Sequence, residues 1–250
     1  VVADGFGMNF VNALPEDSFC RQNLALESRA AFPSSTGSNL FAFSRGQWPG
    51  QHGKLAWYVY LPELGERATL FPWERTRDKK NLSELGLDGD SVFPGNPLIS
   101  SFSRDRVIIN PDYLADTVST VAMHGGSREL GFDGLPQAID LPVERVTSAS
   151  APTFTHIYWS KIDSSAHGVG TSHPDTVEEV ELFDAQMHRF RELVPEDKRI
   201  VITADHGHID SPKNRRFRID PADELNQMLD SEPAGESRIL FFSGKRRIFR

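Results

Sequence analysis

"RIVITADHGHID", residues 199–210, is the stretch on which the reading of this chain turns. Its first half is an apolar run with the length and composition of a buried strand, expected to end at Asp205. There an acid and an imidazole stand side by side, Asp205 and His206, followed by Gly207 and a second imidazole, His208. Such an ending is either a polar surface turn or a pair of metal ligands delivered to the mouth of a sheet. Upstream, "PDTVEEVELFDAQMHRFRELV" repeats its apolar residues at helical spacing. Val177, Val180, Leu182, Phe183, Met187, Phe190 and Leu193 mark the stripe expected to be buried. Before it, "TFTHIYWSKID" reads as another strand, expected to end at Asp163. Strand, helix and strand with apolar runs of this kind predict an α/β fold with a largely parallel central sheet and helices on both faces.

The start of the chain extends the pattern. "VVADG" reads as a third strand with Asp4 at its tip and Gly5 opening a turn, and "MNFVNAL" as a helix. In "RAAFPSSTGSNLFAFSRG", Pro33 excludes helix, a Ser/Ser/Thr cluster suits an N-cap, and an apolar helix follows from about Ser38 to Ser44. Thr36 therefore falls at or just before a helix N-terminus. From about Lys54 to Ser150 the chain is less regular. Aromatic strand-like pieces, charged loops such as "ERTRDKKN" and a helix in "PDYLADTVSTVAM" read as an inserted or capping region on a single catalytic domain spanning 1–250.

Composition narrows the function. The net charge of -8 gives no basic face with which to grip nucleic acid. The single cysteine, Cys20, can build neither an internal disulfide nor a thiolate cluster, so a metal would be held by oxygen and nitrogen. No apolar run reaches the length of a membrane span and no basic-then-apolar leader opens the chain, from which a cytoplasmic location is expected. The chain starts with Val1 already in a strand, so both ends are expected to be incomplete.

In an open parallel sheet, ligands bind beyond the carboxyl ends of the strands. Asp4, Asp163 and Asp205 are all expected there, with His167 four residues after Asp163 and His206 beside Asp205. Crowded carboxylates repel unless a cation neutralises them, and carboxylate with imidazole is a donor set that zinc accepts and manganese tolerates. Each residue alone has a plainer reading: Asp4 as a turn former, His167 before Gly168 as a helix stop, Thr36 as a simple N-cap, Asn39 as a solvated helix residue. Three separate turns presenting ligand types at one sheet edge favour two divalent ions sharing five acid and imidazole groups. The rings of "LAWYVYLP" and "FPWERTR" are either core packing or a stacking surface for a nucleobase. Arg45 is either a phosphate contact or a charge at a helix end.

Asp4, "FPSSTGSN" with "RGQWPGQHG", "YWSKIDSSAHGVG" and "TADHGH", in that order, resemble the alkaline phosphatase superfamily, specifically its nucleotide pyrophosphatase and type I phosphodiesterase branch, with phosphonoacetate hydrolase close in motif. The resemblance implies a phosphoester hydrolase acting on a small molecule, a nucleotide among the candidates, through a phospho-threonine on two zinc ions. It implies Thr36 as nucleophile, Asn39 and Gly37 at the substrate, and Gly46, His52 and Gly53 at the expected spacing. Asp163 and His167 match ligands of one zinc; Asp4, Thr36, Asp205 and His206 match those of the other. One departure stands out. The first zinc of that branch takes another His from a later segment, and the chain stops at "RRIFR" without one. The expectation is a fragment, with His208 or His173 as alternative substitutes. Phosphonate hydrolase and phosphomutase are competing activities of the same superfamily, Ser35 being a serine neighbour of Thr36, whereas a sulfatase would need a modified nucleophile that Cys20 does not supply. A non-catalytic metal-binding module is the alternative of another class.

Overall fold

The structure, a computed structural model, describes residues 1–217, 219, 220 and 222–244; the tail "RRIFR" lies outside them. In chain order the strands are β1 (Val2–Ala3), β2 (Tyr58–Leu61), β3 (Glu66–Thr69), β4 (Glu74–Arg75), β5 (Asp105–Pro111), β6 (Arg128–Phe132), β7 (Thr153–Trp159), β8 (Ala234–Glu236) and β9 (Ile239–Phe241). β1, β7, β5 and β6 form a parallel sheet in that order. The crossover from β5 to β6 carries the helix Val118–His124, and that from β6 to β7 carries Leu135–Ser148. This is the α/β architecture that the apolar runs predict.

Period-2 alternation decides what each face meets. Val107 and Ile109 of β5, Phe132 of β6, and Ile157 and Trp159 of β7 point into the main core. They meet Phe10 of the helix Met8–Ala13, Ile139 of Leu135–Ser148, Ile162 of Lys161–Val169 and the stripe of Pro174–Leu193. In that last helix Val180, Phe183, Met187 and Phe190 are buried, at i, i+3, i+7 and i+10, while Val177, Leu182 and Leu193 are exposed. The stripe is narrower than expected because Thr176 and Asp184 occupy part of the inward face. On the other face of the sheet, the ring of His156 in β7 lies 5.3 Å from that of His124 in the helix Val118–His124.

Four boundaries depart from the sequence expectations. The run 199–204 is not a buried central strand: it lies along the outer side of β1, with one bridge from Val2 to Thr203 and Val201 62% exposed. Ile200, Ile202 and Ala204 pack on the core, so a half-buried edge has borrowed the look of a buried strand. β7 stops at Trp159, and Lys161–Val169 is a helix. Asp163 is therefore in the first turn of a helix, where a carboxylate suits the helix dipole, rather than at a strand tip. The helix expected in "PDYLADTVSTVAM" begins only at Val118, because Asp116 takes a positive φ and the Thr117 side chain caps the amide of Thr120. Lastly, the region 54–150 is no single insertion. β5, β6 and their helices complete the parallel sheet, whereas β2–β4 join β8 and β9 in an antiparallel sheet of order β4-β3-β2-β8-β9.

That second sheet has its own core, in which Phe41 of the helix Thr36–Arg45 meets Leu61, Leu70, Phe71, Trp73 and Phe93. Phe41 stacks on Phe93 with centroids 4.9 Å apart. The helix bearing Thr36 is thereby anchored to the antiparallel sheet while its N-terminus faces the parallel one.

Candidate metal centre and active site

Asp4 follows β1, and its amide donates to the Trp159 carbonyl at 2.8 Å, which fixes the turn beside β7. One carboxylate oxygen, Oδ2, accepts a hydrogen bond from the Tyr158 hydroxyl. The other, Oδ1, lies 3.4 Å from Thr36 Oγ1 and 3.4 Å from His206 Nε2. Thr36 Oγ1 and His206 Nε2 are 3.0 Å apart. Asp205 accepts at Oδ1 from the amides of Gly5 at 3.2 Å and His206 at 2.9 Å. Its Oδ2 is buried without a hydrogen-bond partner, 3.7 Å from His206 Nε2.

Asp163 Oδ1 is the hinge of a second group: His208 Nε2 lies at 2.6 Å, His167 Nε2 at 3.5 Å and His206 Nε2 at 4.0 Å. The structure thus brings Asp4, Thr36, Asp163, His167, Asp205 and His206 to one place. Two sets, Asp4 with Asp163 and His206, and Asp163 with His167 and His208, each have one donor atom per residue within 4.8 Å of the others. His173 is elsewhere, capping its own helix by accepting from the amide of Asp175.

The electrostatics follow from burial. Asp4 is pushed well above the usual carboxylate range, first by desolvation and then by the charges of Asp205 and Asp163. Desolvation also raises Asp205, against the pull of His206. Burial alone would raise Asp163 too, but the hydrogen bond from His208 and the nearby imidazoles hold it below its ordinary value. A buried carboxylate oxygen with no hydrogen-bond partner, among acids that burial raises, is a donor that a cation would satisfy. The donors, carboxylate, imidazole and a threonine hydroxyl, are those that a hard or borderline divalent ion accepts, so the residues fit the expected metals.

Other expected residues fall differently. Asn39 is buried and faces its own loop: Oδ1 accepts from the Ala31 amide at 2.8 Å, and Nδ2 donates to the Pro33 and Ser35 carbonyls at 3.1 and 3.0 Å. It staples the loop carrying Thr36, sharing those carbonyls with the backbone amides of Ser35 and Asn39, and its side chain is turned to that loop. Gly37 lies where a Cβ would meet the Ala56 carbonyl at 2.8 Å, so it permits a close approach of the helix to the bend that leads into β2. Arg45 donates to the carbonyls of Phe93, Gly95 and Ala122, far from a phosphate role. Trp73 is core, while Trp57, Tyr58 and Phe71 line the crevice, Trp57 and Phe71 being stacked at 5.3 Å. Tyr158 was not among the expected site residues. The alternation in "HIYW" contains the signal, since a tyrosine between inward Ile157 and Trp159 must face the other side.

This arrangement sets a hydroxyl, three carboxylates and imidazoles at the mouth of a parallel sheet, a donor set suited to a divalent cation. The description "type I phosphodiesterase / nucleotide pyrophosphatase" matches residues 3–240, and the chain belongs to that family. Comparison with curated proteins gave no match. Among solved structures, murine ectonucleotide pyrophosphatase/phosphodiesterase 5 superposes with a TM-score of 0.70 at 16% identity, covering 99% of this chain and 66% of that one. An inactive threonine-to-alanine variant of the same mouse protein, in complex with AMP, gives 0.67 at 16% identity, with coverage of 99% and 66%. Phosphonoacetate hydrolase from Sinorhizobium meliloti 1021, bound to phosphonoformate, gives 0.55 at 15% identity, covering 82% of this chain and 55% of that one. At these identities the likeness is one of fold, which is the fold expected from the sequence. The chain spans 66% of the length of the mouse structures.

Proposed function

We propose that the chain carries the catalytic centre of a phosphodiesterase or nucleotide pyrophosphatase working on two divalent ions, zinc before manganese, through a phospho-threonine at Thr36. The observation that carries this reading is the position of Thr36 Oγ1. It lies 3.0 Å from His206 Nε2 and 3.4 Å from Asp4 Oδ1, on the first residue of a ten-residue helix. One ion would be held by Asp4, Thr36, Asp205 and His206, the other by Asp163 and His167 with a further donor. Bound there, such ions lower the pKa of a coordinated hydroxyl or water and neutralise charge on the phosphoryl oxygens.

The chain's own residues set the geometry. Thr36 Oγ forms a bond to phosphorus as the bond to the leaving oxygen breaks, and that oxygen departs as the first alcohol or phosphate. Water then displaces Thr36, releasing the phosphorylated product and restoring the hydroxyl. First-turn amides at Thr36 and Gly37 have no carbonyl one turn earlier within the helix, so they and the helix dipole favour the phosphoryl group above Thr36. Trp57 and Tyr58 line the same crevice and offer faces to a base or aryl group. AMP in the mouse relative, and the inactivity of its threonine variant, support a nucleotide substrate and a threonine nucleophile.

The test is turnover of a chromogenic phosphodiester, a nucleotide diester and phosphonoacetate by chelated and zinc-restored protein. Loss on chelation and recovery with zinc, greatest on the diesters, is the expected result. Unchanged turnover after exhaustive chelation overturns the metal reading. Hydrolysis of phosphonoacetate alone would move the chain to phosphonate chemistry, and no turnover of any substrate would leave a metal-binding module.

A further inference from the structure

We propose that the crevice holds a second ligand position, set back from the cation donors on the face of the parallel sheet opposite the main core, where Asn110, His156 and His124 take a planar, uncharged heterocycle that both donates and accepts hydrogen bonds. It rests on the phosphodiesterase reading only in so far as that heterocycle is one arm of a diester substrate.

Register places these residues together. Paired residues of a parallel sheet share a face, and Ile108 of β5 pairs with Glu129 of β6 and with His156 of β7. This row looks away from the main core, which Val107 and Ile109 enter. One position past the Ile109–Ile157 pair, Asn110 and Tyr158 stand side by side, about 4.8 Å apart across the strands and about 6.6 Å nearer the catalytic mouth than the row of His156. Tyr158 is the residue whose hydroxyl holds Asp4, so Asn110 links the cation site to the row behind it. His124 covers that row from the helix Val118–His124: its ring lies 5.3 Å from that of His156, and its Nδ1 is 3.3 Å from Glu129 Oε1.

The chemistry of the position points to its ligand. Asn110 is 2% exposed and lines the crevice, and its Nδ2 has no hydrogen-bond partner among the described residues. A buried amide left so is a cost to the fold that a ligand edge would offset. Burial first, and then His124, hold His156 well below the ordinary imidazole range, so its neutral ring offers one N–H and one bare nitrogen. The Glu129 carboxylate is taken up by His124 and by the Asp116 amide at 2.8 Å, so a charge on His124 is balanced within that pair. These groups offer a phosphate no free cation, whereas an amide and two imidazoles suit the adjoining donor and acceptor of a heterocycle, as an Asn side chain meets adenine. Met123 and Phe154 line the crevice there and supply apolar contact for the ring faces.

The space is sufficient for two such groups. The crevice measures about 2080 Å³, roughly twice the upper range for a single small-ligand pocket, and Trp57 and Tyr58 line it as well. A diester with a heterocycle on each side of the phosphorus would set one against Trp57 and Tyr58 and the other against Asn110 and His156.

The probe is adenosine, which carries the heterocycle without a phosphate, measured by equilibrium dialysis on the full chain with chelator present. The expected result is a class of bound adenosine whose affinity falls about tenfold or more in Asn110→Leu and in His156→Phe. Asn110→Leu should also melt at or above the parent, because it removes an unpaired buried amide. A less stable Asn110→Leu with adenosine binding intact would make the amide structural and overturn the inference; should that variant fail to fold, His156→Phe decides. Turnover with zinc then separates two sources of the heterocycle. For a substrate arm, Asn110→Leu lowers kcat/KM on the dinucleoside adenylyl-adenosine about tenfold more than on the methyl ester of AMP. For a free regulator, adenosine shifts methyl-ester turnover in the parent and not in Asn110→Leu. Adenosine binding that is absent, or untouched by both substitutions, overturns the inference. No turnover of either ester, with binding still sensitive to Asn110→Leu, would sink the phosphodiesterase reading and leave this site standing.

Discussion

At the scale of single residues, the site is a contest between burial and charge, and its outcome is readable in pH. In the metal-free fold Asp4 and Asp205 keep their protons to higher pH than in the unfolded chain, because burial raises both. The stability they contribute is full below the ordinary aspartate value of about 4 and is lost as pH rises through their raised values. Asp163 is shifted the other way, so its contribution is lost only as pH falls below that ordinary range. The buried Val1 amine, pushed down to about 5, and His156, also lowered by burial, act in the opposite sense, so the effect is read by difference. Metal-free Asp4→Asn should lose less stability between pH 5 and pH 8 than the parent; calorimetry with chelator checks this, and equal slopes would contradict it. Tyr158→Phe removes the hydroxyl that fixes Asp4 Oδ2. It should weaken zinc binding about 10- to 100-fold, as outer-shell losses do. Thr36→Ala should lower kcat by about 10,000-fold or more, the scale of a lost nucleophile. Since Ser35 is the N-cap, it should cost less than the ~1 kcal/mol of a lost cap.

At the scale of elements, most of what matters was legible, and the failures share a cause. Asp4, Asp205 and His206 end apolar runs, and burial of an apolar run is visible without knowing its neighbours. Where β7 stops was not visible, because "WSKID" continues the strand in composition and only the Ser160 turn, at φ of -104° and ψ of -5°, breaks it. Asp163 and His167 still come within 3.5 Å of each other, since four residues is one helical turn. That Asn39 faces its own loop was not visible, because an amide at i+3 from a threonine carries no mark of which way it faces. Asp184 shows a partnership that no local pattern reveals: from the long helix it accepts the amides of Phe19 at 3.0 Å and Cys20 at 2.6 Å, capping a helix 165 residues earlier. Burial first, and then Asp184, push the Cys20 thiol far up. Cys20 should thus be nearly inert to a maleimide in the native protein. Asp184→Ala should cost about 1–2 kcal/mol, by analogy with cap removal, and speed that labelling, measured by denaturant titration and thiol kinetics.

At the scale of the molecule, two sheets share one site: the parallel sheet supplies the acids and imidazoles, and the antiparallel sheet holds the helix of Thr36 through Phe41. Phe41→Ala, at a side chain 2% exposed, should cost about 3–5 kcal/mol and reduce turnover with it. Metal binding at Asp163 and His167 should persist in that variant, which a chelator competition would show. The strand order has a further consequence, for the ribosome. β1 is made well before its neighbours, β7 and the segment around Thr203, and the amide of Gly5 meets its acceptor on Asp205 from 200 positions away. While the residues between are translated, β1 waits for these partners. A nascent chain therefore presents Asp4 and Thr36 without the imidazole that joins them, and the donor set around Asp4 cannot assemble before the segment bearing His206 has left the exit tunnel.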